Sequence, residues 1–419
     1  MKKKNGNGAI GNPFAALKHR NYRYYWIGMA ISTTGTWMQN VAQPWLAYKL
    51  TDSAFLLGLV SALQFLPVLL FSLFAGVIID RSKKKNILYM TQSASFVITL
   101  SLTILTYSGH IMYWHLIVSS ALLGIVNTFD LPTRQSFVIE LVGREDLTNG
   151  IALNSMQINL ARVIGPAIAG VIMGAGPQGI PNCFLINAVS FGAVLLSLWF
   201  IHPHPIERQL IKEDNILRNI EEGLKFIYSR KVLFLTLLIV AITGTFVMNE
   251  NVLIPVFSVQ VLHQHEAGFG LLMSMIGVGA LAGALTMASI AKDGPRKFFI
   301  YCFPVITGVL VLMVGFTSLY ALTGVTLLLI GFFFIIFIAS ANSIIQLNST
   351  NEYRGRVMSV FSLVVGGTTP IGNLFAGGIA QSFNASVSFI ACGAVTLVLL
   401  APVLVYLTAK GGIEPIPQK

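Results

Sequence analysis

The fold class expected of this chain is an all-α membrane protein, with twelve transmembrane helices in two pseudo-symmetric six-helix bundles. Three observations predict it. Of the 419 residues, 55% are hydrophobic and only 10% charged, a balance that no soluble domain of this size sustains. Apolar runs of about 20 residues, the length that crosses a bilayer as a helix, follow one another from end to end. Lys and Arg fall almost wholly in alternate connections between those runs. A membrane barrel is excluded, because its strands are short and alternate apolar with polar residues.

Residues 1–23 read as a basic cytoplasmic tail. They are not a signal peptide, since the first apolar run starts only near Tyr24, is too long for one and lacks a small-residue cleavage site. Runs at about 24–49, 55–79, 87–107, 113–131, 150–174 and 183–202 make a first bundle, 24–202. The one long polar stretch, 203–231, sits at the midpoint. Within it, NILRNIEEGLKFI places Ile216, Leu217, Ile220, Leu224 and Ile227 on one face with charges opposite, which predicts an amphipathic helix on the cytoplasmic surface. Runs at about 232–262, 269–291, 298–317, 320–346, 357–382 and 388–408 make the second bundle, 232–408, and 409–419 form a short cytoplasmic tail.

Twelve crossings put both termini on one side. With that side cytoplasmic, 25 of the 27 Lys and Arg lie in inner segments, leaving Lys49 outside and Arg162 within a span. The net charge of +11 therefore reads as anchorage to anionic lipid and not as a nucleic-acid footprint. The halves also resemble one another. A shift of about 210 lays NVAQPW (40–45) over NVLIPVF (251–257) and AFLLGL (54–59) near AGFGLL (267–272), and a shift of 207 lays GPAIAG (165–170) over GNLFAG (372–377). Duplicated bundles of this kind place a transport site between the halves at mid-membrane.

GVIIDRSKKKNIL, 76–88, concentrates charge in the connection between the second and third spans. It resembles the loop signature of the major facilitator superfamily at Gly76, Asp80, Arg81, Lys84 and Lys85, departing from it where Lys83 replaces a glycine and Lys84 an arginine. The resemblance implies an inner gate of Asp80, Arg81 and Lys84, with Asp80 capping helix eleven and Lys84 reaching an acid of helix four, expected to be Asp130. The alternative is a basic loop that only fixes topology. RVIGPAIAG, 162–170, resembles the Gly-Pro-x-x-Gly-Gly element of the superfamily's exporters, with Ala169 at one glycine position. Pro166 removes a helical hydrogen bond, and Gly165 and Gly170 allow close approach, so a hinge in helix five is expected, with Gly279 and Gly283 of helix eight as its facing surface. Plain close packing is the alternative.

The stretches 17–60, 131–155 and 351–360 are similar to the enterobactin-exporter branch, the transmembrane secretion effectors, and the likeness covers the whole chain. It implies a monomeric, multi-pass protein of the bacterial cytoplasmic membrane, moving siderophores or drug-like small molecules, mostly outward, driven by protons. In the superfamily, helices one, four, seven and ten line the cavity. Gln39, Asn40, Gln43, Asn127, Glu250 and Asn342 are the candidates on those helices, and structural glue between helices is the alternative for the amides.

Glu250 and Arg162 stand apart. An ionised group at mid-span costs about 2.5–3.5 kcal/mol even on lenient scales, so each needs water, a partner or neutralisation. Glu250 is the candidate proton carrier. Arg162 could pair with a carboxylate, bind an anionic substrate or snorkel to the cytoplasm. Other chemistry finds no support. There is no phosphate-binding Gly-Lys-Ser/Thr loop, no His-Glu-x-x-His and no Gly-x-Ser-x-Gly, and Cys183, Cys302 and Cys392 fall in separate spans without metal spacing. No cofactor or metal is expected, and an enzyme is not expected. The expected partners are a small-molecule substrate, the proton and the lipid bilayer. Import of a ferrisiderophore or nutrient is the main variant, and a non-transporting receptor or scaffold is the alternative of a different class.

Overall fold

A computed structural model describes residues 14–202, 216–290, 297–350 and 352–409. After a 3-10 turn at Ala15–Lys18 come fifteen α-helices among the described residues: α1 (Arg20–Thr51), α2 (Ala54–Arg81), α3 (Lys84–Tyr107), α4 (Tyr113–Val142), α5 (Leu147–Gly174), α6 (Gly179–Phe200), α7 (Ile216–Ser229), α8 (Lys231–Val247), α9 (Glu250–Gln260), α10 (Glu266–Ile290), α11 (Lys297–Phe316), α12 (Tyr320–Leu347), α13 (Arg354–Gly367), α14 (Thr369–Ser382) and α15 (Ala385–Ala409). Eleven helical stretches among the described residues are long and apolar enough to cross a membrane, with α8 and α9 forming one and α13 and α14 another. The twelfth crossing is α1. It is 32 residues long but carries Ser32, Thr33, Thr34, Thr36, Gln39, Asn40 and Gln43, which lower its hydropathy.

Two spans are broken, and neither break was legible as such in the apolar runs. Helix seven interrupts at Met248 and Asn249. The Asn249 side-chain amide donates to the carbonyl of Thr245 at 3.0 Å, taking the acceptor that an unbroken helix would offer to the Asn249 backbone N–H. Helix eleven interrupts at Thr368, just before Pro370. Pro370 has no N–H to give to the Gly366 carbonyl, so the hydrogen bond that would bridge the break is missing. The two breaks adjoin: a Cβ on Gly372 would stand 1.8 Å from the Thr245 carbonyl. By contrast α5 is continuous through Pro166.

Loops alternate between two ends of the molecule, here the Lys49 face and the Lys84 face. The bundles meet most tightly toward the Lys49 face, along two small-residue seams. On one side α5 packs on α10, where a Cβ on Gly270 would stand 2.4 Å from Gly170 Cα and 2.8 Å from the Pro166 carbonyl. On the other α14 packs on α2, where a Cβ on Gly377 would stand 2.7 Å from the Ala54 carbonyl and 3.3 Å from Gly58 Cα. These are the stretches that the internal repeat superimposes, so the same contact is built twice. Gly279 and Gly283 do not face α5. They approach Leu328 and Phe332 of α12, and Gly270 and Gly277 take the α5 side, because the two glycine pairs project from different faces of α10.

The amphipathic helix is present as α7. It docks on α13, with Phe226 stacked on Tyr353 at 4.5 Å, Glu222 paired with Arg356 at 2.7 Å and a Cβ on Gly223 only 3.1 Å from the Arg356 side chain. The docked face differs from the expected one: Ile227 is buried but Leu224 is 49% exposed. The side chains of Ile216, Leu217 and Ile220 lie outside the described residues.

Candidate functional site

A cavity of about 50 Å³ lies between the bundles, walled by Trp37 of α1, Arg162 and Pro166 of α5, and Glu250, Ile330 and Phe334 of the second bundle. That is room for a few water molecules. Arg162 enters from α5 at the level where α5 and α10 touch backbone to backbone, a Cβ on Gly277 standing 2.5 Å from the Arg162 carbonyl. Its guanidinium carbon sits 5.0 Å from the centre of the Trp37 ring, and its Nε is buried without a hydrogen-bond partner among the described residues. A cation over an indole face in a dry setting gains about 2 kcal/mol.

Glu250 is the first residue of α9, just after the helix-seven break. The break therefore places a carboxyl at a helix N-terminus, where the free N–H groups favour negative charge. Arg162 and Glu250 line the same cavity, and their charged groups do not meet in a closed ion pair within 4.0 Å. Two opposite charges, one aromatic plate and the Asn249 amide make a polar spot among apolar walls, with room in this state for a proton and a few waters.

The remaining amide candidates lie elsewhere. Gln39 is buried inside the first bundle, accepting from Asn187 Nδ2 at 2.6 Å and from Thr99 Oγ1 at 3.1 Å, and donating to Gln43 Oε1 at 2.9 Å. Gln43 in turn donates to Ser120 Oγ at 2.7 Å. The pair thus ties α1 to α3, α4 and α6, the glue role, and does not line the cavity. Asn40 is half-buried, Asn127 is exposed and Asn342 is half-buried, the last accepting from Gln346 one turn away. None of the three lines the cavity.

At the Lys84 face, the acid beside Lys84 is Glu140, at 2.9 Å with both side chains mostly buried, and not Asp130. Asp130 lies deeper in α4, paired with Arg134 one turn on and accepting from Thr91 Oγ1 and Gln92 Nε2 at 2.7 Å each. Lys84 is attached at the first turn of α3, so its reach matches the last turns of α4. Arg81 is exposed in the last turn of α2, and the Asp80 side chain lies outside the described residues. In helix five, Gly165 packs under Trp37, a Cβ there meeting Trp37 Cβ at 2.5 Å.

Two features escaped the residue pattern. Trp37, which the pattern of polar and charged residues does not single out, forms a cavity wall. At the Lys49 face, Trp45 stacks on Phe269 at 5.0 Å and donates to Glu266 Oε1 at 3.2 Å, which Lys49 also approaches at 3.5 Å. Tyr48 accepts from Gln260 at 3.3 Å. These contacts join α1 to α9 and α10 across the bundle boundary. Charge and aromatics at facing helix ends were the available signal.

The chain matches the family model described as transmembrane secretion effector over residues 11–413. It is 28% identical over 382 residues to a staphyloferrin A transporter of Staphylococcus aureus, covering 90% of this chain and 93% of that one. It is 26% identical over 402 residues to the multidrug efflux pump Tap of Mycobacterium tuberculosis, covering 93% of each. Among solved structures, the nucleoside transporter NupG superimposes with a TM-score of 0.75 at 10% identity, covering 92% of this chain and 98% of that one. The D-xylose–proton symporter gives 0.70 at 13%, covering 90% and 97%. These two likenesses concern the fold alone. The chain is a multi-pass membrane transporter, not an enzyme, and belongs to the transmembrane secretion effector family of the major facilitator superfamily.

Proposed function

We propose that the protein is a proton-coupled exporter of siderophores or drug-like small organic molecules that works by alternating access. The observation that carries this reading is the facing pair of Arg162 and Glu250 in a cavity between two bundles that are sealed toward one face. The names of the relatives, one a siderophore transporter and others efflux pumps, support the substrate class. The distribution of basic residues supports a cytoplasmic Lys84 face, with tails 1–23 and 409–419 on that side in a bacterial cytoplasmic membrane.

Glu250 holds the proton in this scheme. Deprotonated, Glu250 holds the substrate's polar groups together with Arg162. Protonation of Glu250 weakens that hold and releases the substrate, so proton and substrate occupy the site in turn. Exchange of proton for substrate at one shared site is what couples the two. Lys84 with Glu140, Arg81 and Asp80 gate the cytoplasmic face, while Gly165, Pro166 and Gly170 let α5 slide on α1 and α10. A single chain contains both bundles, and the working unit is a monomer.

The test is efflux from proteoliposomes with an imposed pH gradient, screening siderophores and lipophilic drugs, for the natural protein and Glu250→Gln. Gradient-driven export abolished by Gln, with exchange in the absence of a gradient retained, supports the scheme. Export untouched by the substitution removes the proton from Glu250. Gradient-driven uptake in place of export would make the protein an importer.

A further inference from the structure

We infer that the groove between α3 and α6 at the Lys84 face is a seat for the headgroup of an anionic phospholipid. The groove has a volume of about 520 Å³ and is lined by Lys85, Tyr89, Trp199, Phe200 and His202. It lies apart from the cavity between the bundles. It opens sideways from the first bundle, where Trp199 is 73% and Phe200 55% exposed, at the level of the helix ends where a bilayer passes from hydrocarbon to headgroups.

Lys85 supplies the specificity. Its Nζ donates to the carbonyl of Ile201 at 2.7 Å and lies 5.7 Å from the centre of the Tyr89 ring. Both partners are neutral, which leaves the amine two further N–H donors. The contact with Ile201 also anchors the amine at the junction of the two helices, which a freely snorkelling lysine would lack. Lys84, next in sequence, has its charge matched by Glu140, so among the described residues the positive charge in the groove that no carboxylate meets is that of Lys85. The His202 ring lies 3.2 Å from the Phe200 carbonyl through Nδ1, turning a second polar group to the same rim. Indole and phenol rings at this depth favour the interface and flank an acyl chain below the headgroup. A phosphate above, aromatic walls beside and hydrocarbon below match a phospholipid, and the uncompensated amine selects an anionic one. Charge complementarity thus names the occupant.

The experiment is native mass spectrometry of the full chain released from nanodiscs containing equal parts of phosphatidylglycerol and phosphatidylcholine, for the natural protein, Lys85→Gln, Lys85→Arg and Lys83→Gln. Lys83 is exposed in the same connection and does not line this groove. The expected result is preferential retention of phosphatidylglycerol that falls about fivefold in Lys85→Gln, the factor equivalent to the ~1 kcal/mol of one basic residue at an anionic surface. Retention should survive Lys85→Arg and Lys83→Gln. Melting temperatures in neutral detergent establish that each variant is folded. Equal retention of the two lipids, or an equal fall in Lys83→Gln, would overturn the proposal, the latter by reducing the effect to general surface charge. A crosslink from Lys85 to the segment 203–215 that persists in phosphatidylglycerol would also overturn it, by giving the groove to the chain itself.

Discussion

The small-residue seams make a sharp prediction about conformational balance. Substituting Gly270 by Ala places a methyl 2.4 Å from Gly170 Cα and 2.8 Å from the Pro166 carbonyl. These are backbone atoms and cannot rotate away. Ordinary contact begins near 3.4 Å, so α5 and α10 must part by about 1 Å at that level. Overpacking of this kind costs about 1–3 kcal/mol, which shifts a two-state equilibrium by about 5- to 150-fold. The strain exists only while the Lys49 face is sealed, so the expected effect is a population shift toward the state open at that face. The assay is electron–electron resonance between spin labels at Ser53 and His265, together with the labelling rate of a cysteine at Ile254 by an impermeant reagent applied from the Lys49 side. Gly377→Ala, on the seam that the repeat pairs with this one, should shift the same distance in the same direction. Gly378→Ala meets nothing within 4 Å and should leave it unchanged. A Gly270→Ala protein with unaltered distance distribution and labelling rate would refute the idea that these seams set the balance.

Other perturbations test separate parts of the structure. Asp130→Asn leaves the mostly buried Arg134 uncompensated and should destabilise by about 3–5 kcal/mol, measured as a lower melting temperature and reduced membrane yield, with the substrate profile of the remaining folded protein unchanged. Arg162→Lys removes the planar stack on Trp37, worth about 2 kcal/mol, and should weaken substrate binding while Lys84-face labelling stays normal, as read by tryptophan quenching titration. Arg356→Gln breaks a partly exposed pair and should cost only about 0.2–1 kcal/mol in stability, yet speed proteolytic cutting near α7 by releasing it from α13. Gln43→Leu, which takes the acceptor from the Gln39 side-chain N–H and the donor from the Ser120 hydroxyl inside the first bundle, should lower the melting temperature more than it alters substrate preference.

The residues that could be assigned from sequence are those whose physics is local. Arg162 and Glu250 announce themselves because an ionisable group within an apolar run demands an explanation, and the structure sets both at the cavity between the bundles. The amphipathic helix and the duplicated halves follow from periodicity and repetition alone. Gln39 and Gln43 show where that reasoning stops. An amide facing the cavity and one facing the bundle core have the same local pattern, and the choice depends on Thr99, Ser120 and Asn187, which lie far along the chain. The acid for Lys84 was hidden for the same reason, since Asp130 and Glu140 occupy one helix and differ only in depth. The Asp130–Arg134 pair, one helical turn apart, was readable from spacing and would have shown that Asp130 already had a cation. The helix-seven break depended on which acceptor the Asn249 side chain takes, and no propensity scale records that.

The docking of α7 on α13 sets the length of the leash between the two bundles. Without that contact, the whole stretch from α6 to α8 would be free cable, and the halves could drift about 100 Å apart before it drew taut. With α7 fastened to the second bundle by Arg356 and Tyr353, the connection left between the halves is residues 203–215, a length of chain that could span at most about 45 Å. A shorter leash raises the concentration at which each half meets the other. The chain should therefore reseal quickly after each opening, and a protease cut within 203–215 should slow that resealing without dissolving the pair, because the glycine seams and the Trp45 cluster hold the halves together independently of the covalent link.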